Sequence, residues 1–480
     1  MIDGLQNRLL ALTQRHVIDD ATKLHQTRQS PVLRHWRRVG EVYMSSPKSR
    51  RVLLRSSWQD VNIGDVAHSP GLLSALLQVD PDAELTLWPV ALGEREEALM
   101  RRFLPQVAIV RGALTDNGQP TTPELASAWS SAEVLVHGSA ADVENRHAEF
   151  LHWSRTTGKP HGYAGVTSDP VCPPTWGTLA ELEVMATFLP PDFLGDEARE
   201  PLDSAEFIFC RDSISLKYLR GQQIQAKSLE FGPDGTFTYD YADAATVEPF
   251  LDEMNLRRDN FACFVPRLRY APYATMHGRE PTPESMRRDA INAATHQSDL
   301  AALVTAIATW VRQTKAPAVV VPEMSYAPAF AREHLLPLLP PDIAPHVRIL
   351  DRFWSLAEAS AIYSVSRAVI SMECHSPIIA SAHAVPTLYL RQPTETVKGR
   401  MYEDLGGSDL IIEVGPGAET VAEEAVTSII DDPQRWSGLS SQVNAVARRR
   451  LRHMASTILY GEPATPYEAA LNGELTGGTQ

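Results

Sequence analysis

Two series of short apolar runs, spaced by helix-length segments, constrain this chain more than any other feature. The first series comprises Arg51–Arg55, Glu84–Trp88, Val107–Val110, Glu133–His137, His161–Val166 and Glu206–Cys210. The second comprises Phe261–Val265, Ala318–Pro322, Val347–Leu350, Ala368–Met372, Thr387–Leu390 and Leu410–Val414. The runs are strand-length and apolar almost throughout, as strands covered on both faces are. Strands alternating with helices imply βαβ units and parallel sheets. The fold class expected is α/β, with two parallel-sheet domains and a ligand between them.

The boundaries follow from where the alternation starts, stops and restarts. Residues 1–48 are polar with helix-like spacing and form an N-terminal extension. Residues 49–235 hold the first domain. The stretch Asp234–Asp252 is acidic and without clear period, so 236–255 is expected to be a linker. Residues 256–431 hold the second domain, and 432–480 a C-terminal helix and tail. Helices are expected within Gly71–Leu77, Glu94–Phe103, Asp299–Gln313, Pro377–Ala384 and Ala418–Ile430. Residues 266–298, rich in Pro and Arg, are expected to form a long loop over the cleft, a length that in compact domains is usually functional.

Composition removes several classes of function. With 480 residues, 44% hydrophobic and 21% charged, the chain is long and apolar enough for ordinary cores. A formal net charge of −15 argues against a general nucleic-acid binder, which needs a surplus of Lys and Arg. Cys172, Cys210, Cys263 and Cys374 show no C-x-x-C spacing, so neither a zinc site nor a redox pair is indicated, and a reducing compartment is. The opening MIDGLQNRLL is not a signal peptide, and no run approaches the ~20 apolar residues of a membrane span. A cytoplasmic location is expected. No Asp-x-Asp stands at a strand end and no His/Cys cluster is visible, so no metal or other cofactor is expected.

Ligands of open α/β sheets bind beyond the carboxyl ends of strands, so chemistry is sought there. After the first strand, Asn62-Ile63-Gly64-Asp65 places an acid at a helix start. Asp65 is either that helix's N-cap or a general acid/base facing the cleft, with His68 one turn later able to share the site. Arg211 follows the sixth strand, where its planar fork suits a carboxylate or phosphate; the alternative is an Arg–Asp salt bridge. Arg267 follows the first strand of the second series, facing an anion or lying in a solvated loop. His375 opens a helix after Ser371, in the segment Glu373-Cys374-His375-Ser376, and Lys398 lies in the loop after Thr387–Leu390. His375 is either an anion ligand or a local hydrogen-bonding residue.

These residues in this order resemble the polysaccharide pyruvyl transferase family, over roughly Val52 to Gly407. The carriers are Gly64-Asp65, Arg211-Asp212 with Ser215 and Leu219, Pro266-Arg267, and the block His375, Ile379-Ala380, Pro386, Lys398 and Leu405-Gly406. The resemblance implies two Rossmann-like domains facing across a cleft, a GT-B-like arrangement. It also implies a transferase moving the pyruvyl group of phosphoenolpyruvate onto a sugar or glycan acceptor as a ketal. Asp65 would then be the acid/base and Arg211, His375 and Lys398 would hold the donor, while Arg267, facing an anion by its place after a strand, is also expected to bind substrate. Glu373 stands where that family usually has Arg: facing the cleft it would repel the donor's anions unless it points away or pairs with Arg211 or Lys398, and it is counted among the substrate-binding residues, able to accept from a sugar hydroxyl. Gly138-Ser139-Ala140 replaces a run of glycines. Two other readings stand beside this one: a GT-B-like glycosyltransferase using a nucleotide sugar, and a non-catalytic carbohydrate-binding relative. The basic stretch Ala447–His453 either touches anionic lipid as a peripheral contact or packs against the acidic body.

Overall fold

The computed structural model describes residues 48–140, 148–170 and 177–461. The expected N-terminal extension, Lys48 apart, and the last residues of the tail lie outside the described residues. The chain forms two parallel sheets. The first has seven strands: β1 (Val52–Ser56), β2 (Leu85–Pro89), β3 (Ala108–Ile109), β4 (Val134–His137), β5 (His161–Val166), β6 (Phe207–Cys210) and β7 (Ser228–Phe231), in the order β3-β2-β1-β4-β5-β6-β7. The second has six: β8 (Ala262–Val265), β9 (Ala318–Val320), β10 (Val347–Ile349), β11 (Ala368–Ser371), β12 (Thr387–Arg391) and β13 (Ile411–Glu413), in the order β10-β9-β8-β11-β12-β13. Every pairing is parallel. These are two Rossmann-like sheets facing across a cleft, a GT-B-like architecture. Chain order reverses at β1/β4 in one sheet and at β8/β11 in the other, and such switch points are where ligands settle.

The central strands β1, β4, β6, β8 and β11 are buried along their whole length, which explains their unbroken apolar sequences. One hydrophobic cluster contains side chains of both sheets, from Val52 and Phe209 to Phe264, Ile370 and Leu390. The two sheets are also stitched directly. Ile63 N–H donates to the Glu323 carbonyl at 3.0 Å and Ser325 N–H to the Val61 carbonyl at 2.9 Å, flanking an antiparallel bridge between Asn62 and Met324. These contacts join the loop after β1 to the loop after β9. The helix Pro433–Tyr460 returns from the second sheet to pack on the helix Ile63–Val79, and its Leu459 carbonyl accepts from Arg50 N–H at 2.8 Å.

Three expectations change. Residues 266–298 are not one long loop: a short helix covers Tyr273–Met276, and a 32-residue helix starts at Pro283. Thr282 caps it, its side chain accepting from Ser285 N–H while Ser285 Oγ accepts from Thr282 N–H, with Pro283 at the first helical position. β7 went unrecognised because its sequence, SLEF, is polar and only partly buried. Residues 236–255 are not bare linker: Phe237, Tyr239, Phe250 and Leu251 are buried, and a helix spans Val247–Glu253. The basic stretch takes the packing alternative. Arg448 pairs with Asp240 at 3.2 Å, and His453 Nε2 lies 2.8 Å from Glu230 Oε2. No helix among the described residues is long and apolar enough to cross a membrane.

Candidate functional site

The site begins at the turn after β1. Asn62 is the cap of the following helix: its side-chain oxygen accepts from Gly64 N–H at 2.7 Å. Asp65 is therefore free of capping duty. It sits in the first turn, 22% exposed, and accepts from the Gln59 side-chain amide. His68 lies three residues on, on the same helix face. Its Nε2 is 3.4 Å from Asp65 Oδ1, and its Nδ1 is 2.7 Å from Asp234 Oδ1. Asp234, fully buried beyond β7, also takes the Thr236 backbone N–H at 2.9 Å, the Thr236 hydroxyl at 2.8 Å and Arg211 Nη1 at 2.7 Å.

The second sheet supplies the facing half. His375, just past β11, has Nδ1 3.1 Å from Glu323 Oε1. The other Glu323 oxygen accepts from Ser376 N–H at 2.7 Å and Ser376 Oγ at 2.6 Å. The rings of His68 and His375 meet edge to face, centroids 4.8 Å apart. Gly64 permits this approach. A Cβ there would stand 2.2 Å from His375 Nδ1 and 2.7 Å from Glu323 Oε1. Beside this group lies a second one. Arg267 pairs with Glu373 and with Glu395, the latter at 2.5 Å, and Lys398 Nζ is 3.1 Å from Glu395. The Tyr273 hydroxyl accepts at 3.2 Å from Gln59, whose side-chain amide also donates to Asp65.

The electrostatics follow from burial set against charge. Burial alone would raise the Asp65 carboxyl, but hydrogen bonding and charge from His68, with His375 and Lys398 nearby, hold it below its ordinary value. Burial disfavours a charged His68, yet Asp234 and Asp65 together lift it to about 8. Asp234 is held well below the usual carboxylate range, against its burial, by His68, His375 and Arg211. Burial raises Glu373, opposed by Arg267 and helped by Glu323 and Glu395, to about 8. Glu395 is drawn down to about 2, against burial, by Arg267 and Lys398.

Asp65, His68, Arg211, Arg267, Glu373, His375 and Lys398, all singled out from sequence, converge here, but not in the arrangement expected. Arg211 pairs with Asp234, His375 Nε2 lies 3.8 Å from it and Asp65 reaches it through His68, while Arg267 and Lys398 pair with Glu395 and Glu373 joins them through Arg267. Arg211 is not on an open rim: it is 2% exposed, hydrogen-bonded to Thr167 Oγ1 at 2.6 Å and paired with Asp234. The alternative reading of an Arg–Asp salt bridge holds, with Asp234 in place of the neighbouring Asp212. Glu373 pairs with Arg267 and with neither Arg211 nor Lys398. Asp234, Glu323 and Glu395 were missed. Glu323 directly follows the run ending at Pro322, so the strand-end rule reached its doorstep. Asp234 was hidden behind the unrecognised β7.

No family model and no curated protein matches the chain. Among solved structures, that of S. aureus MnaA with UDP covers 86% of this chain and 99% of its own, at 10% identity and a TM-score of 0.51. A UDP-N-acetylglucosamine 2-epimerase covers 87% of this chain and 99% of its own, at 12% identity and a TM-score of 0.51. At such identities the likeness is one of fold. It overturns the resemblance to pyruvyl transferases and, with it, pyruvyl transfer from a phosphoenolpyruvate donor. The site agrees with the correction. The cations meant to cradle that small, highly charged donor are committed to carboxylates. Asp65, Asp234, Glu323 and Glu395 would repel it, and Glu373, raised to about 8 by burial, adds no cation.

Proposed function

We propose that the chain is an enzyme that processes a nucleotide sugar, with the sugar ring held between the two sheets against Asp65, His68 and His375. The observation that carries this reading is the carboxylate-rich character of the site beside Asp65. In phosphoenolpyruvate the phosphate and carboxylate flank the reacting carbon. In a nucleotide sugar a neutral pyranose separates the diphosphate from the more distant ring carbons, so carboxylates and imidazoles meet hydroxyl groups, which they bind well. Sharing a fold with a protein solved with UDP supports the reading. Asp65 is the partly exposed member of the group and the one placed to touch the sugar. His68 and Asp234 orient it from behind, and Glu323 orients His375.

Calorimetric titration of the full chain with UDP, UDP-hexoses and phosphoenolpyruvate tests this. Binding of UDP and of at least one UDP-sugar, with none of phosphoenolpyruvate, is expected. Binding of phosphoenolpyruvate alone would overturn the proposal. Incubation of the bound UDP-sugar in D2O, followed by proton NMR, separates the two routes open to such an enzyme. Deuterium at a ring carbon marks an epimerisation, whereas unlabelled sugar released from UDP marks transfer.

A further inference from the structure

The structure assigns Asp65, His68 and His375 a further role: we propose that they form a site for a divalent transition-metal ion of the zinc, cobalt or ferrous class. One ligating atom from each residue lies within 4.8 Å of the others. The 3.4 Å between His68 Nε2 and Asp65 Oδ1 already matches the ligand–ligand edge of a tetrahedral site, about 3.3 Å for metal–ligand bonds of about 2.0–2.1 Å. Neither histidine belongs to a local sequence cluster. They come from different sheets, 307 residues apart by numbering (375 less 68), and meet only because Gly64 lets them.

Three further observations point to an ion. Each imidazole has its Nδ1 beside a fully buried carboxylate, Asp234 for His68 and Glu323 for His375. That second contact is what fixes the tautomer and heading of a metal-binding histidine, leaving Nε2 for the metal. His375 Nε2 has no hydrogen-bond partner although its side chain is only 3% exposed, and Asp234 Oδ2, 3.8 Å away, is beyond hydrogen-bond reach. Around the two rings stand the carboxylates of Asp65, Asp234 and Glu323, and among the described residues Arg211 is the guanidinium paired into that group, while Arg267 and Lys398 are engaged by Glu373 and Glu395. A dication on neutral imidazoles balances that charge. Two nitrogens and one carboxylate favour zinc-class ions over Mg2+ or Ca2+, which prefer all-oxygen surroundings. Three protein ligands on the cleft side leave a coordination position open, the pattern of a catalytic rather than a structural site. On the nucleotide-sugar reading, and only in this clause does the inference rest on it, the ion would polarise an oxygen of the bound sugar.

The test uses metal-stripped full-length protein without nucleotide, titrated with Co2+ and followed by visible absorption and metal analysis. One Co2+ per chain with ligand-field bands, displaced by Zn2+ but not by Mg2+, is expected. Asp65→Asn and His68→Gln should each weaken uptake at least tenfold. Asp65→Asn keeps the Asn62 cap and should keep its circular-dichroism melt, so it decides the matter if the histidine variant misfolds. No stoichiometric uptake by the wild type, or uptake unchanged in Asp65→Asn, overturns the inference. UDP-sugar binding by a protein that takes up no Co2+ would sink this inference and leave the proposed function standing. The reverse result would do the opposite.

Discussion

Gly64 is empty because two side chains of the other sheet occupy the space its Cβ would need. Substitution by Ala would suit a helix interior and would normally be harmless or better. Here it must push back His375 and Glu323, both buried and both hydrogen-bonded. Gly64→Ala is expected to cost about 1–3 kcal/mol, the usual range for overpacking. Under the proposed function it should also depress turnover of a UDP-sugar, which thermal melts and a coupled assay would record together. Glu373 offers the complementary case. From sequence it read as a misfit facing a donor. In the structure it is the partner of Arg267, so Glu373→Arg would set two guanidinium groups against each other in a buried space. A loss of about 3–5 kcal/mol is expected in denaturant titration, the range for breaking a buried pair. Glu373→Gln, whose amide oxygen can still accept from Arg267, should lose much less. A Glu373→Arg variant as stable as wild type would mean the pair is dispensable. The residue types of the site were thus legible from strand ends, but their pairing was not. Arg211 finds Asp234, Arg267 finds Glu373 and His375 finds Glu323 only through strand order, which a linear pattern does not contain.

At the scale of elements, legibility followed burial. Strands closed on both faces carry continuous apolar sequence and were located to within a residue or two: His161–Val166 coincides with β5, and Phe261–Val265 overhangs β8 by one residue. Edge strand β7 alternates polar with apolar and offers no continuous apolar run to read. The expected helix Asp299–Gln313 is the second half of a helix that begins at Pro283; its first half reads as loop despite a legible start, Thr-Pro-Glu-Ser, because those turns are polar and exposed and carry no apolar stripe. Thr282→Ala should cost about 0.5–2 kcal/mol locally. Faster amide exchange in the first turns of that helix, with an unchanged global melt, would record it. The helix Ser213–Gly221 carries a pH signature. Its N-terminus receives two carboxylates: Asp212 accepts from Ser215 N–H at 2.7 Å, and Asp404, from the other half, accepts from Ser213 N–H at 2.7 Å. Burial raises Asp212 to about 7 and Asp404 to about 6, despite these bonds. In the unfolded chain both titrate near 4. Between about pH 4 and 7 the folded chain therefore holds more protons than the unfolded one, and stability from these groups falls as pH rises through that window. Asp212→Asn, which still caps, should flatten the slope in melts across pH 4–7. An unchanged slope would place its origin elsewhere.

At the scale of the whole molecule, the shared hydrophobic cluster and the stitches between loops make the two sheets one cooperative object. Trp88 and Trp153 report on the first sheet, Trp310 and Trp354 on the second, and all four are buried. Tryptophan emission and far-ultraviolet circular dichroism should lose signal at the same denaturant concentration, in one transition. Two separated transitions would show that the halves unfold independently. The stitches also dictate where motion can occur. The backbone hydrogen bonds from Ile63 N–H to the Glu323 carbonyl and from Ser325 N–H to the Val61 carbonyl lie two and four residues from Asp65 and next to the Glu323 carboxylate that holds His375. Any rotation of one sheet against the other that keeps those bonds must have its axis through them. Displacement in such a rotation grows with distance from the axis. Asp65, His68 and His375 therefore sit at the hub, travelling least, while the outer ends of both sheets sweep the longest arcs. Ligand can be admitted by a wide swing at the periphery while these three side chains stay in register.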